Sequence, residues 1–131
     1  MRTAVQVAVG VLLRDATCLI SKRATDVHQG NMWEFPGGKV EDMESVVQAL
    51  RRELREELGV VVEGSTPLVR VEHSYADKKV VLHTHLIEDF SGEPEGREQQ
   101  PLQWVAISAL DTFEFPKGNV AIIEALQRRF L

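Results

Sequence analysis

Apolar residues recur along the chain in short runs that are typical of β-strands. Residues 5–13 are apolar at nearly every position and rich in β-branched side chains, the pattern of a strand covered on both faces. A turn at residues 15–17 leads into a second run at 18–23. Later runs, separated by polar or glycine-containing segments, predict further strands at 60–62, 68–74, 80–90 and 102–107.

Two other segments have the apolar spacing of an amphipathic helix. The first, residues 44–58, ends before Gly59, a suitable helix C-terminus because glycine tolerates a positive φ. On a helical wheel its core-facing side is predicted to contain Met43, Val46, Val47, Leu50, Leu54 and Leu58. The second helix is predicted at residues 118–130. Because strands and helices are mixed without regular alternation, the sequence predicts an α+β fold with a mixed β-sheet between helices.

Composition and charge narrow the class of protein. The 131 residues suffice for one domain, 1–131, with its own core, and a hydrophobic content of 44% argues against disorder. Fifteen basic and twenty acidic residues give a net charge of −5, which argues against a nonspecific nucleic-acid binder. The single cysteine, Cys18, cannot form an intrachain disulfide, so we expect a cytoplasmic protein. No apolar run approaches the roughly 18 residues that would cross a membrane.

Three glutamates on the first predicted helix are difficult to explain as ordinary surface charge. Glu53, Glu56 and Glu57 stand at i, i+3 and i+4, where like charges repel, and they lie toward the helix C-terminus, where the dipole disfavours anions. Glu57 also borders the apolar side, where an unpaired charge is costly. Neighbouring arginines can pair with some of them, and a solvated charged face is the simpler alternative. Oxygen ligands crowded on one face also suit Mg²⁺ or Mn²⁺, so the spacing indicates a divalent metal site.

A pair of glycines precedes this helix. Gly37 and Gly38 allow the backbone to turn sharply and to approach a ligand closely, and Lys39 adds a positive charge beside them. A Gly-Gly turn alone is more often a plain loop. Placed ahead of a carboxylate-rich helix, it favours a metal-bound polyphosphate as the ligand.

The helix glutamates and the glycine before the helix belong to one longer motif. Residues 38–60 contain five blocks in order: Gly38, Glu44, Arg52-Glu53-Leu54, Glu56-Glu57 and Gly59-Val60. Five residues separate the first two blocks, seven the next two, and one residue each of the remaining pairs. This pattern resembles the Nudix box at every fixed position. The chain is also similar along nearly its whole length to the MutT-type 8-oxo-dGTP diphosphatases of that family, through residues 5–13, Phe35-Pro36-Gly37-Gly38-Lys39, Glu98, Trp104, Phe115-Pro116 and Asn119. The resemblance implies a Nudix α/β/α sandwich that hydrolyses nucleoside triphosphates to monophosphate and pyrophosphate.

The resemblance also implies roles for the acidic residues. Glu53, Glu56 and Glu57 would ligate Mg²⁺, or Mn²⁺ as a substitute, together with the Gly37 carbonyl and Glu98. By the same analogy Glu53 is the general base and Arg52 holds it in place. Because a glutamate from the later loop is the base in other Nudix enzymes, Glu98 is the second candidate. The role of Glu44 could be limited to stabilising the first turn of the helix.

A substrate-binding set follows from the same resemblance. It consists of Arg23, His28, Glu34, Phe35, Gly38, Lys39, Lys78, Leu82 and Asn119. Arg23 and Lys39 would face the phosphates, with plain surface charge as the alternative. Asn119 matches the asparagine that contacts the purine, with capping of the following helix as the alternative. Lys78 stands where relatives carry an arginine, which leaves the ordering of the substrate there open.

The histidines carry weaker signals. His83 and His85 alternate on a predicted strand where relatives carry aromatic residues, and we expect structural or surface roles for both rather than ligand contacts. His73 is expected at the surface.

The expected activity is Mg²⁺-dependent hydrolysis of 8-oxo-dGTP, which clears an oxidised nucleotide before a polymerase can use it and so prevents mutation. The alternatives are another Nudix pyrophosphohydrolase acting on CTP, other dNTPs or a nucleotide sugar, and a Nudix-fold sensor that has lost turnover. The complete set of helix glutamates argues against the sensor. We expect a monomer that binds neither nucleic acid nor membranes.

Overall fold

A computed structural model describes residues 4–23, 31–75 and 78–131 of the chain, without the side chain of Tyr75. The helices and strands follow one another as β1 (Ala4–Arg14), β2 (Thr17–Lys22), β3 (Trp33–Glu34), β4 (Gly37–Lys39), α1 (Val46–Leu58), β5 (Val61–Tyr75), β6 (Lys78–Ser91), β7 (Leu102–Ala106) and α2 (Val120–Phe130). Two short 3₁₀ segments, Ile107–Thr112 and Lys117–Asn119, precede α2.

The strands form a mixed sheet in the order β3-β2-β1-β6-β5. β1 and β6 run parallel, whereas β5 and β6 form a long antiparallel pair. β4 adds to β1, and β7 adds to β2. The prediction of a mixed sheet is therefore confirmed.

Buried side chains form one cluster on each face of this sheet. Along β1, Ala8 and Leu12 belong to the cluster that includes Leu50 and Leu54 of α1. Val9 and Val11 of β1 belong instead to the cluster that includes Leu126 of α2. Since successive side chains of a strand point to opposite faces, α1 and α2 cover opposite sides, and the predicted sandwich is confirmed. None of the helices in the described part of the chain has the length and apolar character needed to cross a membrane.

Helix α1 begins two residues later than predicted. Ser45 is its N-cap, with the Ser45 hydroxyl accepting the Gln48 N–H at 3.1 Å and the Gln48 side-chain oxygen accepting the Ser45 N–H at 2.8 Å. This reciprocal pair is a capping box, so Glu44 lies before the helix rather than in its first turn. The C-terminal prediction is confirmed, because Gly59 ends the helix with φ 73°.

The predicted core-facing side of α1 is wrong at its N-terminal end. Met43 lies ahead of the helix and is fully exposed, and Val47 is exposed as well. Ala49 is buried instead, beside the leucines. Residues four apart share a face, so the buried side includes the row Ala49, Glu53 and Glu57. Compared with the prediction, α1 is rotated about its axis so that Glu53 and Glu57 lie on the side that faces the sheet.

The two strands predicted at 60–62 and 68–74 are one strand, β5. Gly64 and Pro67 interrupt the sequence pattern, and the register with β6 shifts near both, yet pairing resumes after each irregularity. β3 and β4 were not predicted, because segments of two and three residues are too short to show a period.

Candidate active site

The glycine pair lies in β4 and lets α1 approach the sheet closely. β4 pairs with β1, Gly38 opposite Ala8. A Cβ added to Gly37 would overlap the Ala8 carbonyl oxygen, and one added to Gly38 would overlap the carboxyl group of Glu53. The backbone contact at Gly37 therefore excludes a side chain, and the absence of a side chain at Gly38 leaves room for the Glu53 carboxyl group against the strand.

Arg52 connects the residues around this contact. Its Nε and Nη2 donate to the two oxygens of Glu44 at 2.8 and 3.0 Å, and its Nη1 donates to Glu53 Oε1 at 2.8 Å. Nη2 also donates to the Lys39 carbonyl at 3.0 Å. Hydrogen bonds from Arg52 and from the Glu41 backbone lower the pKa of Glu44 to about 2. Glu44 is thus a partner of Arg52, and Arg52 holds the Glu53 carboxylate in one orientation.

Four carboxyl groups from three segments, those of Glu34, Glu53, Glu57 and Glu98, lie close enough for their charges to interact. Glu53 is only 17% exposed, and Glu57 is half-buried. Burial, the hydrogen bond to Glu53 and the charges of Glu53, Glu98 and Glu34 raise the pKa of Glu57. Burial also raises the pKa of Glu34, against the opposing effect of its ion pair with Arg23. The site therefore concentrates negative charge where water is partly excluded.

The donor chemistry fits a hard divalent cation. Among the described residues no three His, Cys, Asp or Glu side chains already stand as a metal-binding group, and Glu53 is held by Arg52 at 2.8 Å. However, buried carboxylates that repel one another are stabilised in their charged form by a nearby cation. Glu56 is more exposed, at 57%, and lies 3.6 Å from Arg52. Its carboxylate is therefore accessible on the same helix.

A pocket opens on the α2 side of the sheet, next to this cluster. It is lined by Val7, Val9, Arg23, Glu34, Phe35, Gly37, His73, Val80, Leu82, Pro116, Gly118 and Asn119. Glu34 lines the pocket and is also one of the four carboxyl groups, and Gly37 of the pocket precedes Gly38, which contacts Glu53. The pocket volume of about 170 Å³ is below the roughly 300 Å³ of a small drug-sized site, so it suits one part of a nucleotide, such as the base.

The structure brings together five of the predicted substrate-binding residues. Arg23, Glu34, Phe35, Leu82 and Asn119 all line the pocket. Arg23 donates to Glu34 at 2.6 Å within it.

The remaining predicted substrate residues do not line the pocket. Gly38 contacts the Glu53 carboxyl group, and Lys39 has an exposed side chain at the end of β4. Lys78 is exposed at the start of β6. His28 lies outside the described residues.

Asn119 stands at the N-cap position of helix α2, but its side chain does not cap the helix. It is the last residue of the 3₁₀ segment before the helix, and its side chain makes no capping hydrogen bond. The capping alternative is therefore wrong. Asn119 is also one of the residues that line the pocket.

His73 is a pocket residue that sequence reasoning missed. It was expected at the surface, but it pairs with Val80 and lies on the pocket face of β5. A Cβ added to Gly118 would lie 3.5 Å from the His73 ring, so the two residues are packed together. Side chains alternate between the two faces along β6, so Val80 shares the pocket face with Leu82. His73 can be placed on that face only when the register of β5 against β6 is known, and the sequence does not give that register.

His83 and His85 point to the opposite face from Leu82. His83 Nε2 lies 2.6 Å from the Gln6 side-chain oxygen, and His85 Nδ1 lies 3.0 Å from the Ser65 hydroxyl. Both rings lie outside the pocket and have structural partners.

A mixed sheet between helices, with an acidic helix beside a pocket that suits the base of a nucleotide, is an arrangement expected of a metal-dependent phosphate hydrolase. A family model described as a NUDIX domain matches residues 8–125. The chain belongs to the Nudix hydrolase family.

Individual relatives cover nearly the whole chain. The 8-oxo-dGTP diphosphatase of Escherichia coli strain K12 is 37% identical over 94% of this chain and 96% of its own length. The CTP pyrophosphohydrolase of the same organism is 31% identical over 92% of this chain and 90% of its own. A solved structure from work on MutT of Aliivibrio salmonicida and Vibrio cholerae has a TM-score of 0.85 and 32% identity, covering 98% of this chain and 100% of that one.

Proposed function

We propose that this chain hydrolyses 8-oxo-dGTP to the nucleoside monophosphate and pyrophosphate, and so removes an oxidised nucleotide from the pool before it causes mutation. The observation that carries the proposal is that Asn119 lines the pocket and that its side chain makes no capping hydrogen bond to helix α2. The pocket includes Gly37 of β4, and Gly38 of the same strand contacts Glu53 of α1. The similarity to the Escherichia coli 8-oxo-dGTP diphosphatase supports the same substrate.

Asn119 provides a chemical basis for selecting an oxidised base. Oxidation at C8 changes N7 of guanine from a hydrogen-bond acceptor into an N–H donor. An asparagine amide oxygen can accept that hydrogen bond. With ordinary guanine the same oxygen would face the N7 lone pair, so the two acceptors would repel each other.

The proposed cofactor is Mg²⁺, with Mn²⁺ as a substitute. Glu53, Glu56, Glu57 and Glu98 would hold it together with the Gly37 carbonyl. When bound, a divalent cation neutralises phosphate charge and makes water easier to deprotonate.

We assign catalytic and phosphate-binding roles to different side chains of the site. Glu53 accepts the proton of the water that attacks the β-phosphorus, and Arg52 keeps its carboxylate oriented against Gly38. Arg23 and Lys39 would contact phosphates. Glu98 is the alternative base.

A comparison of three substrates tests the proposed function. With Mg²⁺ present, kcat/KM should be highest for 8-oxo-dGTP, lower for dGTP and lowest for CTP, with pyrophosphate released in each case. Faster hydrolysis of CTP would instead support the activity named for the second Escherichia coli relative. Binding of all three without turnover would support a sensor.

Glutamine variants distinguish the two candidate bases. Glu53→Gln and Glu98→Gln each remove a proton acceptor while keeping the side-chain size, so the variant that lacks the base should lose about 10²- to 10⁴-fold in kcat with little change in substrate affinity. Single-turnover rates and substrate binding measure the two effects separately. Small, equal losses would show that neither side chain is a required base.

Gly38→Ala tests the contact between β4 and α1. The added Cβ would overlap the Glu53 carboxyl group, so that group must move from its bond to Arg52, and we expect kcat to fall roughly 10- to 100-fold. At Gly64 an added Cβ would lie 3.7 Å from Asp89, an ordinary contact. Gly64→Ala is therefore the matched control and should retain the wild-type rate. Full activity of a folded Gly38→Ala protein would contradict the assigned position of Glu53.

A further inference from the structure

The segment between β6 and β7 is docked on the C-terminal end of α1. The backbone N–H of Glu95 donates to the Leu58 carbonyl, and that of Arg97 donates to the Glu57 carbonyl, both at 3.0 Å. Carbonyl groups in the last turn of a helix have no partner within the helix. The docked segment supplies those partners and brings Glu98 next to Glu57.

Gln100 joins the two parts through its side chain. Its Nε2 donates to the Glu57 carbonyl at 3.1 Å, and its Oε1 accepts the Glu98 backbone N–H at 2.8 Å. One half-buried amide group therefore bridges the backbones of two residues whose carboxyl groups also influence each other. Only a side chain with both a donor and an acceptor can make this bridge.

The backbone around Gln100 makes close contacts that fix the path of the loop. A Cβ added to Gly96 would overlap the Gln100 carbonyl oxygen, and Gln99 has φ 63°, a conformation uncommon for residues other than glycine. A Cβ added to Gly59 would lie 2.6 Å from the Arg97 guanidinium. These close contacts define one path for the segment over the helix end.

We propose that Gln100 is a positioning residue that holds Glu98 beside Glu57, so that the two carboxylates reach the same ligand. The proposal rests on the proposed function, since it requires Glu98 to act in hydrolysis. The side chain of Glu98 is exposed, and the Gln100 bridge fixes its backbone from within the loop. Partners that orient a ligand or a base typically contribute about 10- to 100-fold in metal affinity or activity.

Gln100→Met tests the bridge with little change in side-chain length. We expect kcat for 8-oxo-dGTP to fall roughly 10- to 100-fold, calorimetric Mn²⁺ binding to weaken by a similar factor, and the Glu98 amide proton to exchange faster with solvent. Gln103 is exposed on β7, so Gln103→Met is the matched control and should change none of these values. Wild-type values for Gln100→Met in all three measurements would overturn the proposal.

A double-mutant cycle separates positioning from general stability. If Gln100 acts through Glu98, then Glu98→Gln combined with Gln100→Met should be no slower than Glu98→Gln alone. Losses that add, or a Glu98→Gln protein with wild-type activity, would overturn the proposal. If the wild type fails to hydrolyse 8-oxo-dGTP, the proposed function fails, while Mn²⁺ binding and exchange of the Glu98 amide still decide the role of Gln100.

Discussion

Glu57→Gln should lower kcat by about 10²-fold or more while the protein stays folded. Residues that only support a metal ligand contribute roughly 10- to 100-fold, and a ligand itself should contribute at least as much. Glutamine keeps the size of the buried side chain and removes the charge that would attract the cation. Steady-state rates over a range of Mg²⁺ concentrations, with circular dichroism to verify the fold, measure the effect.

Glu63→Gln is the matched control, because Glu63 is an exposed carboxylate on β5, outside the helix. It should retain the wild-type rate and Mg²⁺ requirement. Near-normal turnover of Glu57→Gln at low Mg²⁺ would exclude Glu57 as a principal ligand.

The same substitution should change how the stability of the metal-free protein depends on pH. Burial raises the pKa of Glu57 in the folded state, so above its ordinary pKa the folded chain holds a proton that the unfolded chain has lost. The free energy of unfolding must then decrease as pH rises toward the raised pKa. Glu57→Gln removes this contribution, so its stability should decline less from about pH 5 to about pH 9, as measured by urea unfolding with a chelator present.

Asn119→Ala should remove most of the preference for 8-oxo-dGTP over dGTP. A site built around one hydrogen bond can reject an analogue that lacks it by about 10⁴-fold, because the buried partner is left unpaired. Alanine has no acceptor for the N7 proton of the oxidised base, so kcat/KM for 8-oxo-dGTP should fall while kcat for dGTP changes little. Competition between the two nucleotides in one assay measures the preference directly.

Lys117→Ala provides the control, since Lys117 is an exposed residue of the same 3₁₀ segment and lies outside the pocket. It should leave the preference unchanged. A preference that survives in Asn119→Ala, or a wild type that has none, would remove the basis for assigning the oxidised base to this pocket.

Local pattern alone identified most of the helices and strands. Runs of apolar residues predicted β1 and β6, and helical spacing of apolar residues predicted both helices. Gly59 marked the end of α1 because glycine tolerates a positive φ, which it adopts there. The spacing of the helix glutamates indicated an acidic site, since like charges at one face of a helix need a compensating cation. These are properties of residues within a few positions of each other, which is why one sequence was sufficient.

Tertiary contacts decided which residues share the pocket and how α1 is rotated. The register of β5 against β6 places His73 opposite Val80 in the pocket wall. The rotation of α1 places Ala49, rather than Val47, against the sheet. Gln100 meets Glu57 across 43 positions of the chain. Strand register and helix rotation depend on packing between segments distant in sequence, and a hydrophobic period specifies only that one side is buried. The sequence alone therefore determined the elements and the chemical groups, and the packed sheet determined which of those groups meet.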